Sequence, residues 1–424
     1  SYLHNTSAWL IGMAKERRTT GTSCAAYDTA DPAKQLRSAV RYSYDKQAYG
    51  ATPTAGLVTS VAEIDGAGTA YSKITGLTYD ALGRKRTVTA PGEGTTETQY
   101  TPEDGGPVTS IKAINAKGHA TITTFDPGRS LALTVTDPNG RVTKTEYDAL
   151  GRSVKGWSAS RSSGGKSADV LIDYQSAVAT SDTTRPAAVT VRTLKDDGTY
   201  SKQVTVYDGL MRKVQTQEDA HGPGRIVTDT SYDDHGLVNE QTAGYLAKGD
   251  PAAELFTPKS TRSIPSWTKT RYDGMERPVR QSTYFDGDYR YATYTSYSDT
   301  STYVDPAGGT ASRTRTYTDA LGRVTSVKHY SGSGSSDAGR STTYEYDAAG
   351  NLTKTIDARL NATRYEYDPM NRPVRLVEAD PDGAGGPLTS PISTFAYDSA
   401  GNLDESVDPL GHNGTARPEQ LGRD

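Results

Sequence analysis

The chain has 424 residues, with 47 Lys and Arg against 51 Asp and Glu and a formal net charge of −4. So even a balance excludes both a basic nucleic-acid binder and an acidic, self-repelling disordered tail. Hydrophobic content is only 34%, and 28 Tyr stand against 4 Phe and 3 Trp, which suits thin sheets wetted on at least one face better than thick apolar cores.

Residues 1–40 form a lead-in. It starts at a Ser without a leader and is already strand-like at Trp9-Leu10-Ile11-Gly12, so we expect a piece of a longer protein. The lone thiol, Cys24, cannot form an internal disulfide or a multi-cysteine metal site. No apolar run approaches the roughly 20 residues that a membrane-spanning helix needs.

From residue 41 a repeat takes over. The pair Tyr-Asp occurs ten times, at Tyr27, Tyr44, Tyr79, Tyr147, Tyr207, Tyr232, Tyr272, Tyr346, Tyr367 and Tyr397, where random placement would give about 2.4. Asp80-Ala81-Leu82-Gly83-Arg84 recurs as Asp148-Ala149-Leu150-Gly151-Arg152 and as Asp319-Ala320-Leu321-Gly322-Arg323. Weaker copies run from Asp347 to Gly350 and Asn351, and from Asp398 to Gly401 and Asn402. Asp favours the first position of a type I turn, because its carboxylate accepts from backbone N–H groups further along. Gly favours the fourth, where φ is positive. Asp-x-x-Gly therefore predicts a hairpin loop. Asp208-Gly209-Leu210-Met211 and Asp273-Gly274-Met275-Glu276 lack that Gly, which predicts a different turn there. A second loop follows in each unit, as at Asp137-Pro138-Asn139-Gly140, Asp219-Ala220-His221-Gly222 and Asp408-Pro409-Leu410-Gly411.

Between the turns lie six- or seven-residue alternating segments rich in Thr, Val and Tyr, which read as strands. The repeat tyrosines Tyr79, Tyr147, Tyr346, Tyr367 and Tyr397 are expected on one face, buried against neighbouring repeats. Two irregular insertions interrupt the array, near 156–186 and 244–266. The second offers one or two helical turns at Asp250-Pro251-Ala252-Ala253-Glu254-Leu255-Phe256, with Asp as cap and Pro at the first position. Ser331–Gly339 reads as a flexible loop tip.

The unit Tyr-Asp-x-x-Gly-Arg, then a strand, Asp-Pro-x-Gly and Thr-x-x-Tyr-x-Tyr-Asp, resembles the YD repeat of bacterial Rhs proteins. Wall-associated toxins, the B and C components of insecticidal toxin complexes and the animal teneurins carry the same repeat. The resemblance covers roughly residues 41–424. It implies an all-β fold in which antiparallel hairpin repeats wind in a spiral into a hollow YD-repeat shell. It further implies a structural segment of a large secreted bacterial protein used in interbacterial competition, enclosing a C-terminal toxic cargo outside this chain. The implied partners are the remaining shell, that cargo and other toxin-complex or secretion components, with no nucleic acid. A cell-surface adhesion or carbohydrate-binding module of teneurin type is the alternative, and Tyr284, Tyr289 and Tyr291, outside the repeat phase, are its better recognition candidates.

We expect no catalytic, cofactor or metal site. Asp196-Asp197 and Asp233-Asp234 read as turn and surface acids. The six histidines are scattered and show no metal-ligand spacing. Gly165-Lys166-Ser167 copies the end of a phosphate loop, but Ser160 stands where Gly is needed. Asp408-Pro409 lies where the repeat places its ordinary second turn, so self-cleavage is not expected there.

Overall fold

The computed structural model describes residues 1–20, 36–64, 70–162, 165–179, 184–306, 312–331, 339–368, 370–383, 386–398 and 402–415. These residues are almost wholly strand, and the single helical element among them is the 3-10 turn Thr261–Ser263. No helix among them is long and apolar enough to cross a membrane.

The strands form because Thr, Val and Tyr alternate in short runs closed by Asp turns. In the pair Lys73–Tyr79 and Lys85–Ala90, Leu77 faces Val88 and Thr78 faces Thr87. The ladder shifts register beside Tyr79, where the left-handed Gly83, at φ 76°, adds the extra residue of a bulged hairpin.

Hairpin follows hairpin, except that the short strand Tyr245–Ala247 turns back onto Arg225–Tyr232 while Val238–Thr242 pairs on to Ser266–Tyr272. Glu16–Thr20 pairs with Leu36–Tyr44, which pairs with Val58–Glu63. The sheet continues strand by strand to Leu403–Val407 and Asn413–Thr415. Two short hairpins stand apart, Tyr2–Asn5 with Leu10–Ala14, and Val178–Ala179 with Thr184–Arg185. The sheet also winds in space. Met370 packs against a cluster of Leu36, Ala39 and Ile64, residues about 300 positions earlier. The fold is therefore all-β and antiparallel, wound into a shell, as the repeat implies.

Three sequence expectations need correction. The stretch 156–186 is only partly irregular, since Val170–Gln175 pairs with Ser153–Trp157 on one side and Ala187–Leu194 on the other. Asp250–Phe256 is not helical. It is an extended strap laid across a sheet face, and side chains of that face supply its backbone partners, so it needs no helical hydrogen bonds. Asp219 does not head an Asp turn, because the loop closes through Ala220 and Gly224, with the positive φ at Gly224. The Ser331–Gly339 tip lies largely outside the described residues, as do Cys24 and Gly401.

The core is small and divided. One cluster holds Val227, Tyr245, Ala247 and Ile264 with Phe256 and Trp267 packed on it. Another holds Ala188, Val204 and Val206, with Val214 and Ala253 against it. Both lie under the strap.

Candidate functional site

The Asp turn is a staple with a fixed geometry. Asp80 Oδ1 accepts from the backbone N–H of Leu82 at 3.0 Å and of Arg84 at 2.8 Å, and Oδ2 accepts from Arg84 Nε at 2.6 Å. The same set recurs at Asp148 with Arg152, Asp208 with Arg212, Asp273 with Arg277, Asp319 with Arg323 and Asp368 with Arg372. At Asp347 and Asp398 the amides of Asn351 and Asn402 replace the guanidinium. Burial pushes the Asp80 carboxyl up, but the Arg84 side chain and the turn N–H groups outweigh it and hold it below the usual range. At Asp148 the backbone N–H of Arg152 leads the same lowering.

The tyrosine of the next unit completes the staple. Tyr100 lies over the Arg84 guanidinium at 4.4 Å, Tyr174 over Arg152 at 4.2 Å, Tyr346 over Arg323 at 4.8 Å and Tyr397 over Arg372 at 4.4 Å. Each hydroxyl donates to the carbonyl just after that arginine: Tyr100 to Lys85, Tyr174 to Ser153, Tyr346 to Val324 and Tyr397 to Pro373. Where the residue before the acceptor carbonyl is not Arg, the hydroxyl bond remains. Tyr79 donates to Val58, Tyr147 to Ala132 and Tyr367 to Leu352, at 2.8–2.9 Å. These tyrosines are half-buried rather than buried, because the ring seals an arginine on a wetted sheet face and not an apolar core. Gly83, Gly151, Gly322 and Gly350 all take positive φ. The turns at Asp208 and Asp273 do not differ. Met211 and Glu276 adopt φ 61° and 62° and donate to the Asp carbonyl at 3.0 Å, as glycine does elsewhere.

Two further carboxylates act near the start of the chain, Glu16 tying down the lead-in and Asp45 the loop before Val58–Glu63. Glu16 accepts from Tyr71, from Arg18 Nε at 2.9 Å and from Tyr49 at 3.1 Å. Arg41 stacks between Tyr49 and Tyr71 at 4.7 and 3.7 Å. Burial raises the Glu16 carboxyl, yet the donors prevail and hold its pKa at about 2. Asp45 gathers the backbone N–H groups of Thr54, Ala55, Gly56 and Leu57, which likewise outweigh burial and hold it at about 2.

Sequence reasoning missed the strap clasp. Gln217 Oε1 accepts from Ala252 N–H at 2.9 Å and its Nε2 donates to Glu254 O at 2.7 Å. Gln215 bonds both the N–H and the carbonyl of Phe256, and Gln175 donates to Ala253 O. Gln215 and Gln217 are almost fully buried, at 2% and 0% exposure. Beside them Asp229 accepts from Gln215 and from Tyr245, whose phenol is raised by burial and then by that carboxylate. The only signal in the sequence was Gln at alternate positions of Lys213–Asp219, which reads as a solvent face. No cluster of three or more metal-ligating side chains occurs among the described residues.

This geometry defines a wound β-sheet protein whose hairpin repeats are linked by an Asp-Arg-Tyr staple. Residues 333–362 match the model of the RHS repeat family, so that stretch carries an RHS, or YD, repeat, and the Asp-turn hairpins elsewhere share its pattern. A search of curated proteins gave no match. Among solved structures, the fold is similar to TcdB2-TccC3 without its hypervariable C-terminal region, with a TM-score of 0.70 and 13% identity over 99% of this chain and 29% of that one. TcdB2-TccC3 itself gives a TM-score of 0.69 and 14% identity over 99% of this chain and 27% of that one. A Photorhabdus luminescens Tc holotoxin pore gives 0.66 and 13% over 99% and 29%. The chain thus spans less than a third of the length of the structures it resembles.

Proposed function

We propose that this chain is a wall segment of a secreted, toxin-type Rhs shell, with no chemistry of its own, that encloses a cargo carried elsewhere in the parent protein. The observation that carries this reading is the unbroken antiparallel ladder from Glu16–Thr20 to Asn413–Thr415, curled until distant parts of the chain touch. Such a wall acts sterically. Consecutive strands satisfy each other's backbone groups, which leaves few edges for proteases or aggregation. The remaining shell, the cargo and other toxin-complex parts are the partners that follow from it. The fold likeness to TcdB2-TccC3 supports the reading.

Electron cryo-microscopy of the full-length gene product, combined with limited proteolysis, tests it. We expect residues 1–424 to form part of a closed wall around protease-protected polypeptide. A wall open to solvent, or a parent protein whose other regions are all cut at the rate of an exposed linker, would overturn the proposal.

A further inference from the structure

The strap shows that one face of this sheet holds an extended polypeptide, and the same face continues past the strap, where Tyr289 and Tyr294 are exposed. Side chains of directly paired residues share a face, so the pairings trace it outward. Asp229 stands beside Gln215 under the strap. The strand Val238–Thr242 carries the face to Trp267 through the pair with Thr242. Trp267 faces Tyr284, and Tyr284 faces Tyr289. Arg280 faces Tyr294, Tyr303 faces Arg315, and Arg315 faces Lys328.

The ring contacts agree with this trace. Trp267 stacks flat on Tyr284 at 3.9 Å, and Tyr289 meets Tyr284 edge-on at 5.8 Å. Arg280 lies between Tyr289 and Tyr294 at 5.8 and 5.4 Å. Arg315 lies over Tyr303 at 5.2 Å, and Lys328 over Tyr330 at 4.9 Å. Six adjacent strands, from Ser266–Tyr272 to Val324–Tyr330, thus present one surface of rings and cations.

Three features give this surface an unmet demand. Arg280, Arg315 and Lys328 have no carboxylate within salt-bridge distance among the described residues, unlike the staple arginines. Trp267 Nε1, Arg280 Nε and Arg315 Nε are buried N–H donors without an acceptor, a costly state. Tyr289 and Tyr294 remain 49% exposed. Among the described residues of the six strands the carboxylate on this face is Asp305, opposite Tyr294, while Asp229 and Glu240 at its edge are already bonded to Gln215, Tyr245 and Lys269.

We infer that this face, over the six strands Ser266–Tyr330, is a docking surface for an extended acidic polypeptide segment of a partner protein. The backbone of such a segment would lie against this face as the strap's carbonyls lie against Gln215 and Gln217. Its acids would meet Arg280, Arg315 and Lys328, and its apolar side chains would lie on the tyrosine faces. The inference does not depend on the wall reading, since it concerns this chain's surface alone.

Fluorescence anisotropy with a labelled dodecapeptide of alternating Glu and Thr tests it, using the intact chain at about 50 mM salt, where charge screening is weak. We expect saturable binding that weakens roughly tenfold or more when Arg280→Gln, Arg315→Gln and Lys328→Gln are combined, and also with added salt. Tyr289→Ser with Tyr294→Ser, which leaves every charge in place, should weaken it as well. Unchanged circular dichroism and an unchanged unfolding midpoint verify that the variants fold. A Lys-Thr peptide should not bind, and a dodecamer of thymidine should bind more weakly than the acidic peptide. Absence of saturation up to millimolar peptide, affinity unaltered in the folded triple variant, or tighter binding of the oligonucleotide would each overturn the inference.

Discussion

Gly83 and Met211 occupy the same place in the same turn, yet only one can hold φ near +70° without strain. A side chain in that region costs about 1–2 kcal/mol, partly offset because glycine loses more freedom on folding. Met211→Gly should therefore slow local hydrogen exchange at the Asp208 turn, by up to ~1 kcal/mol, and Gly83→Val should speed it at the Asp80 turn by a similar or larger amount. Equal exchange in both variants would remove the argument. The tyrosine staple allows a second comparison. Tyr346→Phe loses only the bond to Val324 O, about 1 kcal/mol. Tyr346→Ala also uncovers Arg323 and should cost roughly 2 kcal/mol, below the ~3 of a fully buried aromatic, because the ring is half-buried. Urea unfolding of the two variants checks the order.

At the level of elements, the strap is the test. Gln217→Leu removes the partners of Ala252 N–H, Glu254 O and Arg225 at once. We expect a loss of about 2–3 kcal/mol and new protease cuts between Asp250 and Phe256, with the turns elsewhere intact. Cuts confined to the same sites as in the wild type would show that the glutamines are not the clasp. The contrast between staple and strap explains what was legible in the sequence. Asp80, Gly83 and Arg84 act within five residues, so the turn and the strands on either side could be read from local chemistry. Gln217 acts on residues 35 and 37 positions away, and nothing local distinguishes a buried glutamine in an alternating strand from a wet one. The arginine–tyrosine link falls between these cases. Its residues were all in the repeat, but their meeting required knowing that consecutive hairpins pair in order. The missing glycines at Met211 and Glu276 misled because neighbouring copies impose the turn on an unsuited residue.

For the molecule as a whole, the carboxylates set the response to acid. Glu16 and Asp45 sit at about 2 in the folded chain, and staple acids such as Asp126, Asp137, Asp208 and Asp273 are also lowered. A depressed folded pKa means the unfolded chain binds more protons below about pH 4, the ordinary carboxylate range. The stabilisation is then complete above that range and lost as pH falls towards 2. Glu16 alone contributes on the order of 3 kcal/mol at neutral pH. The thermal midpoint should be nearly level from pH 7 to 5 and fall steeply from 4 to 2, with a shallower fall in Glu16→Gln. A midpoint that stays level down to pH 2 would contradict this.

Because each staple arginine is sealed by the tyrosine of the unit that follows it, the sheet is assembled as a hand-to-hand line in which every staple joins only neighbouring units. Such a line can be lengthened or shortened by whole units without redesign, so duplication and deletion in the gene are structurally cheap. It also tears at its poorest handshake. The junctions where Leu57, Leu131, Leu237 and Asn351 stand in place of arginine keep the hydroxyl bonds of Tyr79, Tyr147, Tyr272 and Tyr367 but, among the described residues, have no guanidinium beneath the ring. Under mechanical load applied at the two ends, those junctions are where the wall should part first.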